Sequence, residues 1–349
     1  MKVNQFRRRM PTFVVAASAL ALVLTGCSNS AGSAKSTDSG EGEVASIGKI
    51  AAVIKGLDNP FFQHMESGII DSAEALGVDV EIQAAQDITD TTGQADRLSA
   101  LANQDYACFV VNPISGNNLV QGIAQIAASG VPIVNIDNPV EAEAAEAAGA
   151  ELATYIGTDN VAAGELVAQE LAGLLPDGGK VAAVGGIAGD VTSGQRIEGF
   201  ENGLAAGGFE LVQTVSANWD RQEALTQAAA ILQANSDLVA FFVANDDMAM
   251  GVSRAVQDAG LRETVKVVSV DGIDGVASGD IDLAVAQYPY VVGKMGLDAC
   301  AAAAAGHELP SAVETPIALI TSDNAQQAQD AFPEPPTSYD NPFLELLKK

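Results

Sequence analysis

From Ile47 onward the chain alternates short apolar runs with stretches of helical periodicity, and that alternation leaves it few architectures. Runs suited to strands lie at 48–54, 78–84, 106–111, 131–136, 152–157, 179–185, 209–216, 238–243, 265–270 and 282–287. Helical periodicity fills most of the gaps, as over 61–76, 116–129, 160–175, 221–234 and 246–259. Strands separated by helices pair in parallel through βαβ crossovers, so the expected class is α/β with doubly wound parallel sheets. Pro60 at a helix start and Gly77 just past its end punctuate as that reading requires, and Gly130-Val131-Pro132 opens the next strand in the same way. A length of 349 residues suits about two domains, and 48% apolar residues can fill ordinary cores.

Polar residues recur just after the apolar runs. Examples are Asp58-Asn59-Pro60-Phe61-Phe62, Val110-Val111-Asn112-Pro113, Val134-Asn135-Ile136-Asp137, Val243-Ala244-Asn245-Asp246-Asp247 and Val268-Ser269-Val270-Asp271-Gly272. Open parallel sheets bind ligands at the carboxyl ends of their strands. Asn and Asp placed there, with aromatics beside them, suit a small polyhydroxylated molecule and offer little for cutting one.

The first residues read as an address rather than as fold. Lys2 and Arg7-Arg8-Arg9 precede an apolar stretch from Thr12 to Leu24, too short to span a bilayer, and Leu24-Thr25-Gly26-Cys27 follows. That sequence resembles a bacterial lipobox, which makes 1–27 a signal peptide and Cys27 the lipidated new terminus, anchored to the outer face of the cytoplasmic membrane. Residues 28–46, rich in Ser, Gly, Ala and Thr, read as a flexible tether. The net charge of −28 argues against nucleic acid, because phosphate binding needs a basic stripe. Cys108 in a strand-like run and Cys300 on an Ala-rich stretch read as buried free thiols, with a bridge as the alternative that export permits. The Ala/Glu stretch 141–149 reads as a solvated insertion without a role, with a short surface helix as the alternative. Pro333, Pro335 and Pro336 end the domain, and Phe343 to Leu347 either packs as a short helix or stays loose.

Several chemistries lack their residues. Gly185-Gly186-Ile187-Ala188-Gly189 has the wrong spacing for a dinucleotide fingerprint, and Gly178-Gly179-Lys180-Val181 lacks the hydroxyl residue of a phosphate loop. His occurs only at 64 and 307, which disfavours a His-centred metal site or a catalytic triad. His307 reads as an exposed turn residue, and His64 as either a pocket rim or a helix surface residue. No cofactor, no metal and no enzymatic activity are expected.

Read in order, the strand-end segments, with Gly194-Gln195-Arg196-Ile197-Glu198-Gly199-Phe200 and Val285-Ala286-Gln287, resemble the ribose/galactose branch of the type I periplasmic binding proteins over about 47–320. The resemblance implies two similar doubly wound parallel-sheet lobes joined by a three-strand hinge, with crossings near 157, 287 and 316. The implied lobes are 47–157 plus 288–316 and 158–287 plus 317–332, with 333–349 as a C-terminal tail. It also implies a monomer that closes on a sugar or polyol and hands it to the permease subunits of an ABC importer. Carried over position by position, its ligand set is Asn59, Phe61, Phe62, Asn112, Asp137, Arg196, Trp219, Asn245, Asp271 and Gln287. Hydroxyls donate and accept together, as Asp, Asn and Gln side chains require, and Arg adds a donor fork. Arg196 is the expected counter-charge for both Asp137 and Asp271. Asn245 has an alternative reading as a simple helix cap, and Asp246 and Asp247 read as first-turn acids rather than contacts.

The pattern is broken after Asp137, where ribose binders often carry Arg and this chain has Asn138, also counted in the ligand set. Trp219 stands in place of a smaller Phe. Both changes point away from D-ribose itself toward another pentose, a hexose, a furanose or a polyol. A receptor presenting a sugar or an autoinducer-like molecule to a membrane sensor is the alternative function. A LacI-type repressor core shares the fold but needs a helix-turn-helix where this chain has a lipobox, and a secreted sugar enzyme needs a nucleophile–base pair.

Overall fold

The computed structural model describes residues 47–205, 207–273 and 275–348; the leader, Cys27 and the tether expected over 1–46 lie outside them. The chain opens with β1 (Ile50–Ile54), α1 (Pro60–Leu76), β2 (Val80–Ala84), α2 (Thr91–Leu101), β3 (Cys108–Val111), α3 (Val120–Ala127), β4 (Ile133–Ile136), α4 (Ala142–Ala148) and β5 (Thr154–Gly157). It repeats the rhythm with α5 (Asn160–Leu174), β6 (Gly179–Gly185), α6 (Val191–Leu204), β7 (Phe209–Ser216), α7 (Arg221–Ala234), β8 (Leu238–Val243), α8 (Asp246–Asp258), β9 (Lys266–Asp271), α9 (Gly275–Ser278) and β10 (Leu283–Gln287). It ends with α10 (Pro289–Ala304), β11 (Ala312–Glu314), β12 (Ile317–Thr321), α11 (Ala325–Ala331) and α12 (Pro342–Leu347).

These elements build two α/β lobes. The first sheet runs β11-β5-β4-β3-β1-β2 and the second β12-β10-β9-β8-β6-β7, the same order played twice. Pairing is parallel throughout, except that β12 runs antiparallel to β10. Central strands covered by helices on both faces must be apolar on both faces, and every residue of β1 is fully buried. Strand order reverses between β1 and β3 and again between β6 and β8. A crevice opens at the carboxyl ends of such strands.

Close helix pairs brace each lobe. A Cβ on Gly68 of α1 would lie 2.0 Å from the Tyr290 carbonyl oxygen of α10, and one on Gly293 would lie 2.1 Å from that of Met65. In the second lobe Gly164 of α5 and Gly199 of α6 stand in the same relation to Arg196 and Val161. Only hydrogen fits between these backbones. In the second lobe this packing fixes α6, the helix that carries Arg196.

Three expectations need correction. Cys108 and Cys300 form a disulfide, with Cα atoms 5.6 Å apart across a separation of 192 residues. The chain returns after the second lobe to lay α10 over β3 and β4, which brings the two thiols together in a way neither local pattern reveals. Residues 142–148 form helix α4, closed by Gly149 at φ 69°, and Ala144, Ala145 and Ala148 pack against the first lobe's core. His307 is half-buried, its backbone N–H bonded to the Ala302 carbonyl past the end of α10. The final segment packs as α12: Phe343 is fully buried, and the Asn341 amide donates to the Asp298 carboxylate at 2.7 Å.

Gly68→Ala separates two opposed effects. In an open helix this change gains up to about 1 kcal/mol. Here the methyl meets backbone, and overpacking of this kind costs about 1–3 kcal/mol. Urea denaturation is expected to show a net loss of stability; a gain would contradict the close α1–α10 contact.

Candidate functional site

Between the two lobes lies a half-open cavity. The first lobe contributes Lys55, Asn59, Phe61, Phe62, Ile88, Ile114 and Asp137; the second contributes Thr192, Arg196, Trp219, Asn245 and Asp271, and Gln287 closes the floor. All come from strand ends or from the loops and first two helical turns that follow them.

The two lobes present matching parts. Asn59 follows β1 and caps α1, its Oδ1 accepting from the Phe61 N–H at 2.9 Å. Asn245 follows β8 and caps α8 in the same manner, accepting from the Met248 N–H at 3.0 Å. Capping and ligand binding are therefore compatible here. The oxygen of each amide serves the helix, and the NH2 group is the donor left for a ligand. Each lobe also backs an aromatic wall with a cation. The Lys55 ammonium lies 5.2 Å from the Phe62 ring centre, and the Arg196 guanidinium 5.9 Å from that of Trp219. Phe61 meets Phe62 edge-on at 5.2 Å.

Arg196 is 3% exposed and tied to three elements: its Nε donates to Asn160 Oδ1 at 2.8 Å, and its Nη1 to the Ala244 carbonyl at 2.7 Å and to Asp271 Oδ1 at 3.5 Å. Gln287 donates to the same Asp271 oxygen at 2.6 Å and accepts from the Thr158 hydroxyl at 2.8 Å. Burial pushes the Asp271 carboxyl up to about 6, against the opposing pull of Arg196 and Gln287. Asp137 has a different partner from the one expected. Its carboxylate pairs with Lys55 at 3.5 Å, while Arg196 serves Asp271. The Tyr155 hydroxyl, its pKa raised by burial, donates to the Asp137 carbonyl at 2.7 Å and fixes that turn.

Backbone strain collects at the same place. Among the described residues, Asp137 (φ 60°), Asn218 (φ 51°), Trp219 (φ 61°) and Asp271 (φ 124°) are the non-glycine residues with positive φ, and three of the four line the cavity. Such conformations cost about 1–3 kcal/mol each and persist only where surroundings impose them. Trp219 also needs a bare backbone beneath it, since a Cβ on Gly186 would fall 2.0 Å from the indole Cε2.

Two residues of the expected set lie outside the lining. Asn112 is fully buried behind it, with its amide against Met65 and its carbonyl accepting from Gln94. Asn138, also fully buried, faces Pro113, Ile114, Asp190 and Thr192. Asn112, one residue past β3, turns into the packing behind the lining, and Asn138, two residues past β4, turns toward the start of α6. His64 lies outside the lining as well, its ring 4.6 Å from that of Phe332. Asp246 accepts from the Ser269 hydroxyl and the Ile273 N–H, and Asp247 pairs with Arg221 at 2.6 Å. Lys55, Ile88, Ile114 and Thr192 were missed. Lys55 directly follows β1 and Thr192 sits one turn before Arg196 on α6, so strand-end position and helical spacing were usable signals for both. The loop residues Ile88 and Ile114 carried none.

The family model described as periplasmic binding protein domain matches residues 50–308. The chain is 37% identical over 253 residues to the D-allose-binding periplasmic protein of Escherichia coli (strain K12), an alignment covering 71% of this chain and 81% of that one. It is 30% identical over 292 residues to a ribose import binding protein of Bacillus subtilis (strain 168), covering 82% and 91%. The crystal structure of an ABC transporter periplasmic solute binding protein from Actinobacillus succinogenes 130z, with bound D-allose, superposes with a TM-score of 0.75 at 28% identity, covering 80% of this chain and 99% of that one.

The Asp271 carboxyl titrates higher in the folded chain than its ordinary 3.8, so protonation favours the fold and the ionised form weighs against it above about pH 6. A ligand hydroxyl that donates to the carboxylate requires the ionised form. Affinity for such a ligand is therefore expected to fall as pH drops through about 6, with a limiting slope of one proton, and Asp271→Asn should flatten the profile. Calorimetric titration across that range checks both.

Proposed function

The chain belongs to the periplasmic binding protein domain family, and on that footing we propose that it is the extracytoplasmic solute receptor of an ABC importer, closing its two lobes on one monosaccharide. The carrying observation is the cavity between the lobes, where amide, carboxylate and guanidinium groups alternate with Phe61, Phe62 and Trp219. Carboxylates accept from sugar hydroxyls, Arg196 and Lys55 donate to them, and the rings cover C–H faces. The lobes are 47–157 with 288–316 and 158–287 with 317–332, and hinge motion at the three crossings buries the ligand. The membrane permease subunits of the importer then receive it from the closed, monomeric receptor.

The ligand is a pentose or hexose, with D-allose and D-ribose heading the panel because relatives and a structural neighbour carry those names. Lys55 returns beside Asp137 a cation that the Asn at position 138 had removed from the ribose pattern, delivered from the end of β1 rather than from β4. Cys27 carries the lipid that holds the protein to the outer face of the cytoplasmic membrane.

A thermal-shift panel of pentoses, hexoses and polyols on the exported chain tests the ligand class. A sugar at 100 times its Kd adds about 2.7 kcal/mol of stability, which is a clear rise in Tm. Asp271→Ala, checked for folding by circular dichroism, is expected to lose that sugar by at least about a hundredfold in Kd, the scale of losing one partner of a buried hydrogen-bonded charge pair. No response to any sugar, or an unchanged Kd in Asp271→Ala, would reject the assignment. For the anchor, fatty-acid labelling in a lipoprotein-processing bacterial host should mark the wild type and leave Cys27→Ser unlabelled and released from membranes.

A further inference from the structure

Asn138 stands where ribose binders often offer the ligand a cation, yet its side chain faces the other lobe. Its Nδ2 donates within its own lobe to the Pro113 and Ile114 carbonyls at 3.1 and 3.3 Å, and across the cleft to Asp190 Oδ2 at 3.4 Å. Its Oδ1 accepts across the cleft from the Thr192 hydroxyl at 3.0 Å. Asp190 and Thr192 are themselves buried, at 6% and 7% exposure, and belong to the start of α6. The other Asp190 oxygen caps that helix by accepting from the Ser193 N–H at 2.8 Å. One amide thus joins the loop after β4 to the N-terminus of the helix that carries Arg196.

We propose that Asn138, with Asp190 and Thr192, forms an interlobe latch that sets how long the receptor stays closed, as an affinity-determining residue that does not touch the ligand. The inference rests on the hinge-closure reading given above. Both cross-cleft bonds exist only when the lobes meet, so they stabilise the closed form alone and multiply the apparent affinity of whatever it encloses. An amide suits this place better than a charged group. Its oxygen accepts from Thr192 while its nitrogen donates to the Asp190 carboxylate, and a carboxylate in its stead would face another carboxylate.

Asn138→Asp makes that substitution. It is expected to speed ligand release and raise Kd by about tenfold or more, the scale of a lost charge-assisted bond. Asp190→Asn in the same chain removes the repulsion and keeps a good helix cap, so the double variant should recover to within a few fold of wild type. Recovery separates the latch from a local role, because the bonds to Pro113 and Ile114 stay lost in both variants. Losses that multiply in the double variant, or an unchanged release rate in Asn138→Asp, would overturn the proposal. Small-angle scattering of the protein without sugar supplies a readout independent of the ligand assignment. Asn138→Asp should enlarge the radius of gyration and the double variant should reverse it. Equal radii in all three proteins would overturn the latch, whereas failure of every sugar to bind would reject the receptor reading alone.

Discussion

The buried Arg196–Asp271 pair is the interaction on which the rest of the site depends. Two ions out of water are stable only when further hydrogen bonds complete their shells, and here those bonds reach across the molecule. Arg196 draws in Asn160 of α5 and the end of β8, and Asp271 draws in Gln287. Gln287 in turn holds Thr158, and Thr158 lies 3.4 Å from Thr315. Thr158, Gln287 and Thr315 stand at the three places where the chain passes between the sheets. The polar chain that holds Arg196 is thus continuous with the three crossings between the sheets.

The two lobes solve one problem twice with different residues. Each uses an Asn after its first or third strand to cap the helix that follows, and each sets a cation against an aromatic wall. The symmetry stops at the charges. Lys55–Asp137 in the first lobe lies close to the surface of the cleft, with side chains about 10% exposed, whereas Arg196–Asp271 is sealed in. Burial displaces the Asp271 carboxyl titration upward.

Much of this was legible in the sequence because parallel sheets confine ligand groups to one edge. The ten apolar runs located β1–β10, and nine residues of the expected ligand set line the cavity. Apart from Lys55, Thr192 and β12, what escaped detection had non-local causes. Strand-end position alone cannot tell whether a side chain points into the crevice or back into loop packing, which is why Asn112 and Asn138 were misplaced. The partner of Asp137 could not be read from charge alone, since Lys55 and Arg196 were equally available cations until the lobes were placed. β11, three residues long and largely exposed, carries no periodic signal, whereas β12 is an apolar run as long as β1 that was not read as a strand.

The Cys108–Cys300 bridge ties the two chain segments of the first lobe to each other. All of the second lobe from α5 to β10 is enclosed by that covalent ring. In topological terms that stretch is an insertion into a stapled frame: a single peptide-bond cut anywhere between the cysteines would still leave the first lobe as one covalent piece. The half of the cleft holding Asn59, Phe61, Phe62 and Asp137 is thereby insulated from damage to the half it closes against.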